Sequence, residues 1–376
     1  MKIIFKLGFP RFSRVTIFNS EDYWLKKILF KNKKVVTIPS YPKLVIYISI
    51  NFLIYFVKYF FFIRKFNLKS IRKNIYYSYI ISIFDYAQTK KIITFIDNSM
   101  IFHTLSKLDR KREYFAIQNG IRGYSCVKTF LPKNYKIYLQ NFFCFSEREK
   151  KLFSKFNHKI KNFIPVGSIK SSYYYEKFPD PKNKKFDICY ISQLQERFFT
   201  NEYKDKYEKI NFYQYKNTIN LCTDYIAKYI NNKSIKIAVC MRSSDSKFEY
   251  EFYKKKFKGL DVSIFKNDKE KFSSYKTVSL SKITIGHHTT MLPECYKYNK
   301  LLWYNPYNFK NFEVKEAKKC YLNSIKFIEF KNKINYLYNL DNKKYLKQSF
   351  QNSKNICYNE IDKPAHKLII ENLNNV

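Results

Sequence analysis

The sequence predicts an α/β fold built as two successive units, each with a mostly parallel sheet. Three observations carry that prediction. Short continuous apolar runs, as in Lys90–Ile96, Tyr114–Ile117 and Ser234–Cys240, have the length and all-round hydrophobicity of strands buried on both faces of a parallel sheet. Longer stretches of helical character separate them, the alternation expected of β-α-β units. The alternation also restarts: residues 176–185, polar and carrying two prolines, interrupt it, and a fresh strand follows at Phe186–Ser192. At 376 residues the chain exceeds one ordinary domain and suffices for two, each with its own core. Residues 1–175 are assigned to the first domain, 176–185 to a linker, 186–345 to the second domain and 346–376 to a C-terminal helical tail.

In chain order, residues 1–40 alternate apolar runs with basic patches, and Val35–Ile38 reads as a strand ahead of Pro39. Met1–Pro10 is broken by Gly8 and Pro10 and does not read as a signal peptide. Leu44–Ile63 is long enough to span a bilayer, but Ser49, Asn51, Lys58 and its tyrosines interrupt the apolar block. Lys58 alone would cost about 2.5 to 3.5 kcal/mol near the centre of a membrane helix. The segment therefore reads as a buried or interfacial helix, opening a helical block that runs to about residue 88. After the Lys90–Ile96 strand, Asn98 or Ser99 caps a helix carrying His103. Asn141–Phe145 is a strand, Ser146 and Glu149 form a capping box, and Phe163–Val166 is a further strand ending at Gly167–Ser168. In the second half a long helix over 213–231 leads to Ser234–Cys240. Asp261–Phe265, Thr277–Leu280 and Ile283–Ile285 continue the pattern, and a strand is expected near 325–329.

Only six glycines are present, so their placement is informative. Gly286 ends the strand Ile283–Ile285, and His287, His288, Thr289 and Thr290 lead into a helix that carries Glu294 about one turn on. A sharp turn at Gly286 followed by hydroxyls and helix-start amides would hold a phosphate, with the carboxylate placed for sugar hydroxyls. An ordinary Thr-capped strand-to-helix connection would look the same. Gly120 and Gly123 bracket a second turn, Gln118-Asn119-Gly120-Ile121-Arg122-Gly123, at the end of a strand. There the two glycines would adopt conformations closed to other residues and present Gln118, Asn119 and Arg122 where open sheets bind ligands. Arg122 could clamp a phosphate or carboxylate, or sit on the surface of a tight turn. Asp97 and Asn98, at another strand's end, are candidates for a base and an acceptor ligand, with a turn role open. Ser192, Arg242 and Ser243 end two strands of the second unit, where Arg242 would meet a diphosphate or simply face solvent.

Lys and Arg number 71 against 30 Asp and Glu, a formal charge of +41. Such charge invites nucleic acid or an anionic membrane as partner. Lys, Asn, Ile, Phe and Tyr are abundant together while Gly is scarce, as AT-rich codons produce, so part of the charge is compositional background. Denser basic clusters at Lys31–Lys34, Arg64–Lys73 and Lys107–Arg112 lie in the first half and would suit an acceptor on anionic lipid, each charge contributing about 1 kcal/mol near the surface. The eight cysteines stand singly and read as reduced thiols of a cytoplasmic protein. No CxxC pair and no DxD triplet occurs, and no metal site or cofactor is expected.

Five pieces in one order carry a family resemblance: Ile93–Asn98, Ile117–Gly123, Phe163–Ser168, Phe186–Ser192, and Ile285–Thr290 with Glu294. Together they resemble the bacterial surface-carbohydrate biosynthesis proteins, related to the capsule Kdo transferases and the CDP-glycerol glycerophosphotransferases. The resemblance implies a GT-B-like fold, two Rossmann-like domains facing a central cleft, and a glycosyltransferase using a nucleotide-sugar or CDP-activated donor and a glycan or lipid-linked acceptor. It places Ser192, Arg242, Ser243, Gly286, His288, Thr289, Thr290 and Glu294 at the donor, and Asn98, Gln118, Asn119, Gly120 and Arg122 at the acceptor. Asp97 and His287 are the catalytic candidates. His287 and His288 stand where relatives carry small residues, and Lys282 where an acidic residue is common. Transfer of a polyol phosphate from a CDP-polyol is the alternative chemistry; the absence of a histidine from the Gln118–Gly123 turn favours sugar transfer. A basic single-strand nucleic-acid binder, in which lysines and the 20% aromatic content cooperate, is the alternative of another class, and an inactive scaffold is a third.

Overall fold

The computed structural model describes residues 2–18, 23–30, 35–38, 43–64, 71–122, 136–156, 158–196, 199, 212–231, 233–308, 319–353, 356–357 and 363–374. Lys31–Lys34, Gly123, Cys126 and residues 65–70 of the second basic cluster lie outside them. The described residues form two six-stranded sheets in which every paired neighbour is parallel.

The first sheet has the order β3-β2-β5-β6-β7-β8, with β2 Val15–Phe18, β3 Val36–Ile38, β5 Lys91–Thr94, β6 Glu113–Ile117, β7 Tyr138–Cys144 and β8 Lys159–Pro165. Its central strands are buried on both faces, and alternate residues divide between two cores. Ile93, Phe115, Ile117 and Phe143 meet Ile28 and Leu29 of α1 (Tyr23–Leu29) on one side. Ile92, Tyr114, Ala116 and Phe142 join α3 (Ile71–Tyr86) and α4 (Met100–Leu108) on the other. The period of two explains why these runs are apolar throughout. The chain doubles back between β2 and β5, so a crevice opens where β5 ends, at Asp97.

The second sheet has the order β11-β10-β9-β12-β13-β14, with β9 Phe186–Ile191, β10 Ile237–Cys240, β11 Val262–Phe265, β12 Ser281–Gly286, β13 Lys300–Tyr304 and β14 Tyr321–Leu322. Ile188, Tyr190, Val239, Ile285 and Tyr304 face one core, and Cys189, Ile191, Cys240 and Trp303 the other. Here the reversal falls between β9 and β12, next to Gly286. The seven described cysteines are buried thiols.

Three expected elements differ. Leu44–Ile63 is not one helix: β4 (Lys43–Ile48) pairs in parallel with β1 (Lys2–Leu7), and α2 (Ile50–Arg64) follows. The β-branched run Val45-Ile46 favours an extended chain there. Thr277–Leu280 ends the helix Ser273–Ser279 rather than forming a strand, and 325–329 opens the helix Phe327–Asn339. In both, burial at helical spacing, as in Phe330, Ile334 and Leu337, overrides the local β character. The final helix, Ala365–Asn374, returns to the first half. Its Ala365 N–H donates to Ser172 Oγ at 3.1 Å, and Ile369 and Leu373 complete the core of Ile93 and Phe115.

Candidate functional site

The turn after β12 lies at the crevice of the second sheet. A Cβ on Gly286 would stand 3.2 Å from Thr289 Cγ2 and 3.3 Å from Leu292 Cδ2. The glycine at the expected sharp turn serves close approach, while the positive φ of this turn, 42°, falls on His288. The helix that follows, Met291–Cys295, has only five residues, and Thr290 caps it without a side-chain bond. So short a helix has a weak dipole, and any positive charge for an anion must come from side chains. Thr289 Oγ1 accepts from Met291 N–H at 3.3 Å.

Glu294 joins the two halves. Both its carboxylate oxygens are bonded, to Ser168 Oγ at 2.6 Å and Tyr275 Oη at 2.7 Å. Burial raises its pKa, opposed by the Lys170 charge and those two hydroxyls. Burial and the neighbouring carboxylate push the Tyr275 phenol well above its ordinary value, so it remains a donor. On the opposite wall, a Cβ on Gly120 would lie 3.0 Å from Thr290 Oγ1. The two glycine-bearing turns therefore meet, although they belong to different halves of the chain. Between them a cavity of about 310 Å³ is walled by Asn119, Lys170, Gln193, Lys269, Thr289 and Thr290, with His288 and Glu294 contributing.

Several expected site residues are committed elsewhere. Asp97, a candidate base, holds Arg122 in two-point fashion: Arg122 Nε donates to Asp97 Oδ2 at 2.9 Å and its Nη2 to Oδ1. Oδ1 also accepts from Asn119 N–H at 3.2 Å. Arg122 is thus a brace for the turn rather than a substrate clamp, and its Nη2 also donates to Asn119 Oδ1 at 2.6 Å. Gln118 is buried, donating to Gly120 O at 2.8 Å and accepting from Phe145 N–H at 2.7 Å. Asn98 is half-buried in the turn between β5 and α4. His287, the other catalytic candidate, is sealed in the second core with Nε2 3.0 Å from Tyr190 Oη, and burial holds its pKa well below 6.5. His288 faces the cavity and stacks on Tyr215, its pKa drawn down to about 3 by burial.

At the end of β10 the expected anion turn is also filled. The buried Glu249 accepts from the backbone N–H of Arg242 at 2.8 Å and of Ser243 at 3.1 Å, and from Ser192 Oγ. Ser192 further accepts from Tyr253 Oη at 2.7 Å, so its hydroxyl belongs to this clasp and not to a ligand. The Arg242 side chain is exposed beside a hollow of about 800 Å³ that shares Asn267, Asp268 and Lys269 with the central cavity. Lys170, Tyr275 and Glu249 do not stand out in the sequence. Lys170 follows Gly167–Ser168 closely, a signal that could have marked it; Tyr275 and Glu249 sit in ordinary helical sequence with nothing to distinguish them. Among the described residues no cluster of three His, Cys, Asp or Glu side chains could hold a metal.

Residues 115–300 match a family model described as O-antigen biosynthesis protein. No curated protein matches the chain in sequence. Among solved structures, the UDP-GlcNAc 2-epimerase of Neisseria meningitidis bound to UDP-GlcNAc aligns over 100% of both chains with TM-score 0.56 and 12% identity. S. aureus MnaA with UDP aligns over 100% of this chain and 98% of its own, at TM-score 0.55 and 12% identity. The Methanocaldococcus jannaschii UDP-GlcNAc 2-epimerase with UDP-GlcNAc and UDP aligns over 97% and 100%, at TM-score 0.53 and 10% identity. Identities this low establish the fold, the expected pair of GT-B-like α/β domains, and no more.

Proposed function

We propose that this chain, with its GT-B-like fold and its match to an O-antigen biosynthesis family model over residues 115–300, transfers a sugar from a nucleotide-activated donor to a glycan or lipid-linked acceptor at the inner face of the cytoplasmic membrane. The observation that carries this reading is the meeting of the Gly120 and Gly286–Thr290 turns across one polar cavity, with Glu294 tied to Ser168 from the other half. In this reading the Thr289 and Thr290 hydroxyls bond the donor's diphosphate. Lys170 and Lys269 balance the charge that develops as it leaves, in place of a divalent cation. Glu294, oriented by Ser168 and Tyr275, accepts hydroxyls of the ribose or sugar through its remaining lone pairs. Asn119 faces the acceptor, and His288, neutral at physiological pH, offers a hydrogen bond without adding charge.

A thermal-shift series with UDP, GDP, CDP and CMP tests this directly. One nucleoside diphosphate should raise the midpoint, by about 2.7 kcal/mol of added stability at a hundredfold excess over Kd. The shift should vanish in Glu294→Gln and in the Thr289→Val/Thr290→Val pair; Arg242→Ala reports whether the donor reaches the adjoining hollow. Release of glycerol phosphate from CDP-glycerol would replace sugar transfer with polyol-phosphate transfer. Conversion of a nucleotide sugar with no acceptor present would overturn the transfer reading. So would RNA binding of steep salt dependence with no response to any nucleotide.

A further inference from the structure

The first half carries an apolar surface that the cleft does not use. In α2, Phe52, Tyr59 and Ile63 face inward. Ile50, Leu53, Ile54, Val57 and Phe61, at i, i+3, i+4, i+7 and i+11, form a stripe on the outer side, with Ile50 82% and Ile54 65% exposed. Single exposed apolar residues are ordinary on protein surfaces, whereas a continuous helical stripe marks a contact. Beside it a cavity of about 1150 Å³ opens between β4, α2 and the start of α3, walled by Ile46, Leu53, Phe56, Ile75 and Tyr76. Arg72 and Lys73, both exposed, also line it. Ile101 contributes to its wall from the helix that starts directly after the Asp97–Ser99 turn.

The described basic side chains of this stretch, Lys58, Arg72 and Lys73, are exposed, and the sequence here is one-sided in charge. Residues 43–84 hold seven Lys or Arg and no Asp or Glu. A second copy of this chain would bring the same positive charge against it, so self-association is disfavoured where an anionic surface is attracted. The stripe covers about 16 Å of helix axis at 1.5 Å per residue. No helix among the described residues is long and apolar enough to cross a membrane. A short apolar stripe flanked by basic residues suits a helix lying in the interface plane.

We propose that α2 and the start of α3 dock the protein on an anionic phospholipid bilayer, with the stripe entering the headgroup boundary and the cavity taking a hydrocarbon chain from that leaflet. Docking itself does not depend on the enzymatic reading. Its consequence does rest on that reading: a lipid-linked acceptor would be held close to the Asp97–Ser99 turn at the edge of the cleft.

Flotation of the full chain with vesicles, in the absence of donor and acceptor, tests the surface alone. Binding to phosphatidylcholine vesicles containing phosphatidylglycerol should exceed binding to phosphatidylcholine alone by at least roughly tenfold at low salt, and fall as salt rises. Ile54→Asp should lower it roughly tenfold, and Lys73→Glu by less. Both variants should keep the thermal midpoint of the parent, which separates lost docking from lost folding. Equal binding to neutral and anionic vesicles, or binding unchanged by Ile54→Asp, overturns the proposal. A dimeric parent that Ile54→Asp renders monomeric would assign the face to a second copy instead and equally overturn it.

Discussion

Two turns leave the same edge of the second sheet and put similar chemistry to opposite uses. After β10, the Arg242 and Ser243 amides point at a carboxylate the chain supplies itself, Glu249 from the following helix. After β12, the turn ends in Thr289 and Thr290 at the wall of a cavity, and the nearby carboxylate, Glu294, is directed to the other half of the molecule. A strand-end turn rich in donors is therefore not in itself a ligand site. What decides is whether the chain fills the turn with its own acceptor. The first half repeats the lesson, since Asp97 consumes the guanidinium of Arg122.

If filled turns are structural and the open one functional, perturbations should separate cleanly. The largest effect is expected for Arg122→Ala, which strands the buried Asp97 charge and should lower unfolding free energy by about 3 to 5 kcal/mol in urea titrations. Pairing it with Asp97→Asn should restore part of the loss. A raised acceptor KM with unchanged stability would break the comparison by returning Arg122 to the substrate. Next, Thr290→Val should cost about a hundredfold in turnover, or about 2.7 kcal/mol, while the midpoint barely moves. Glu249→Gln comes third, with about 1 to 3 kcal/mol of stability lost because one of its acceptor oxygens becomes a donor facing amides. Nucleotide binding should be unaffected; a gain of affinity would show that the β10 turn is a latent anion site.

The remaining effect is a pH dependence in which opposing terms partly cancel. Burial lowers the pKa of both His287 and His288 below 6.5 in the folded chain. Their contribution is therefore fully present above pH 6.5 and is lost as pH falls, each adding a slope of up to about 1.4 kcal/mol per pH unit over the range where only the unfolded chain is protonated. For His288 that range runs down to about pH 3. Burial raises the pKa of Glu294, so its term runs the other way, favouring the fold at low pH and weakening as pH climbs from 4.5. Equilibrium unfolding at pH 7, 6 and 5 should show falling stability, and His288→Gln should flatten the curve. A flat parent curve would mean that the histidines are not sealed as described.

Strands such as Ile92–Thr94, Tyr114–Ile117 and Ile237–Cys240 were legible because burial on both faces of a parallel sheet demands an unbroken apolar run. Gly120 and Gly286 were legible as positions that matter, since glycine is rare in this chain. The reason they matter was not: Gly286 makes room for Thr289 and Leu292 of the turn and helix that follow it, and Gly120 for Thr290, far along the chain. At β4, the β-branched Val45-Ile46 leans toward an extended chain, but the apolar stretch from Leu44 to Ile48 is too short to show it against the helix that follows, and pairing with β1 completes the strand.

Local hydrophobic period and the scarcity of glycine, both properties of the sequence alone, determined the two α/β units, their order and the two turns worth inspecting. Tertiary structure decided which polar groups remain available. Asp97, Ser192 and His287 are each consumed or sealed by partners 25, 57 and 97 residues away, while Glu294 is held in the cleft by Ser168, 126 residues away. Hydrogen bonding is satisfied in space and not along the chain, so availability for chemistry becomes visible only when the sheets have brought distant side chains together.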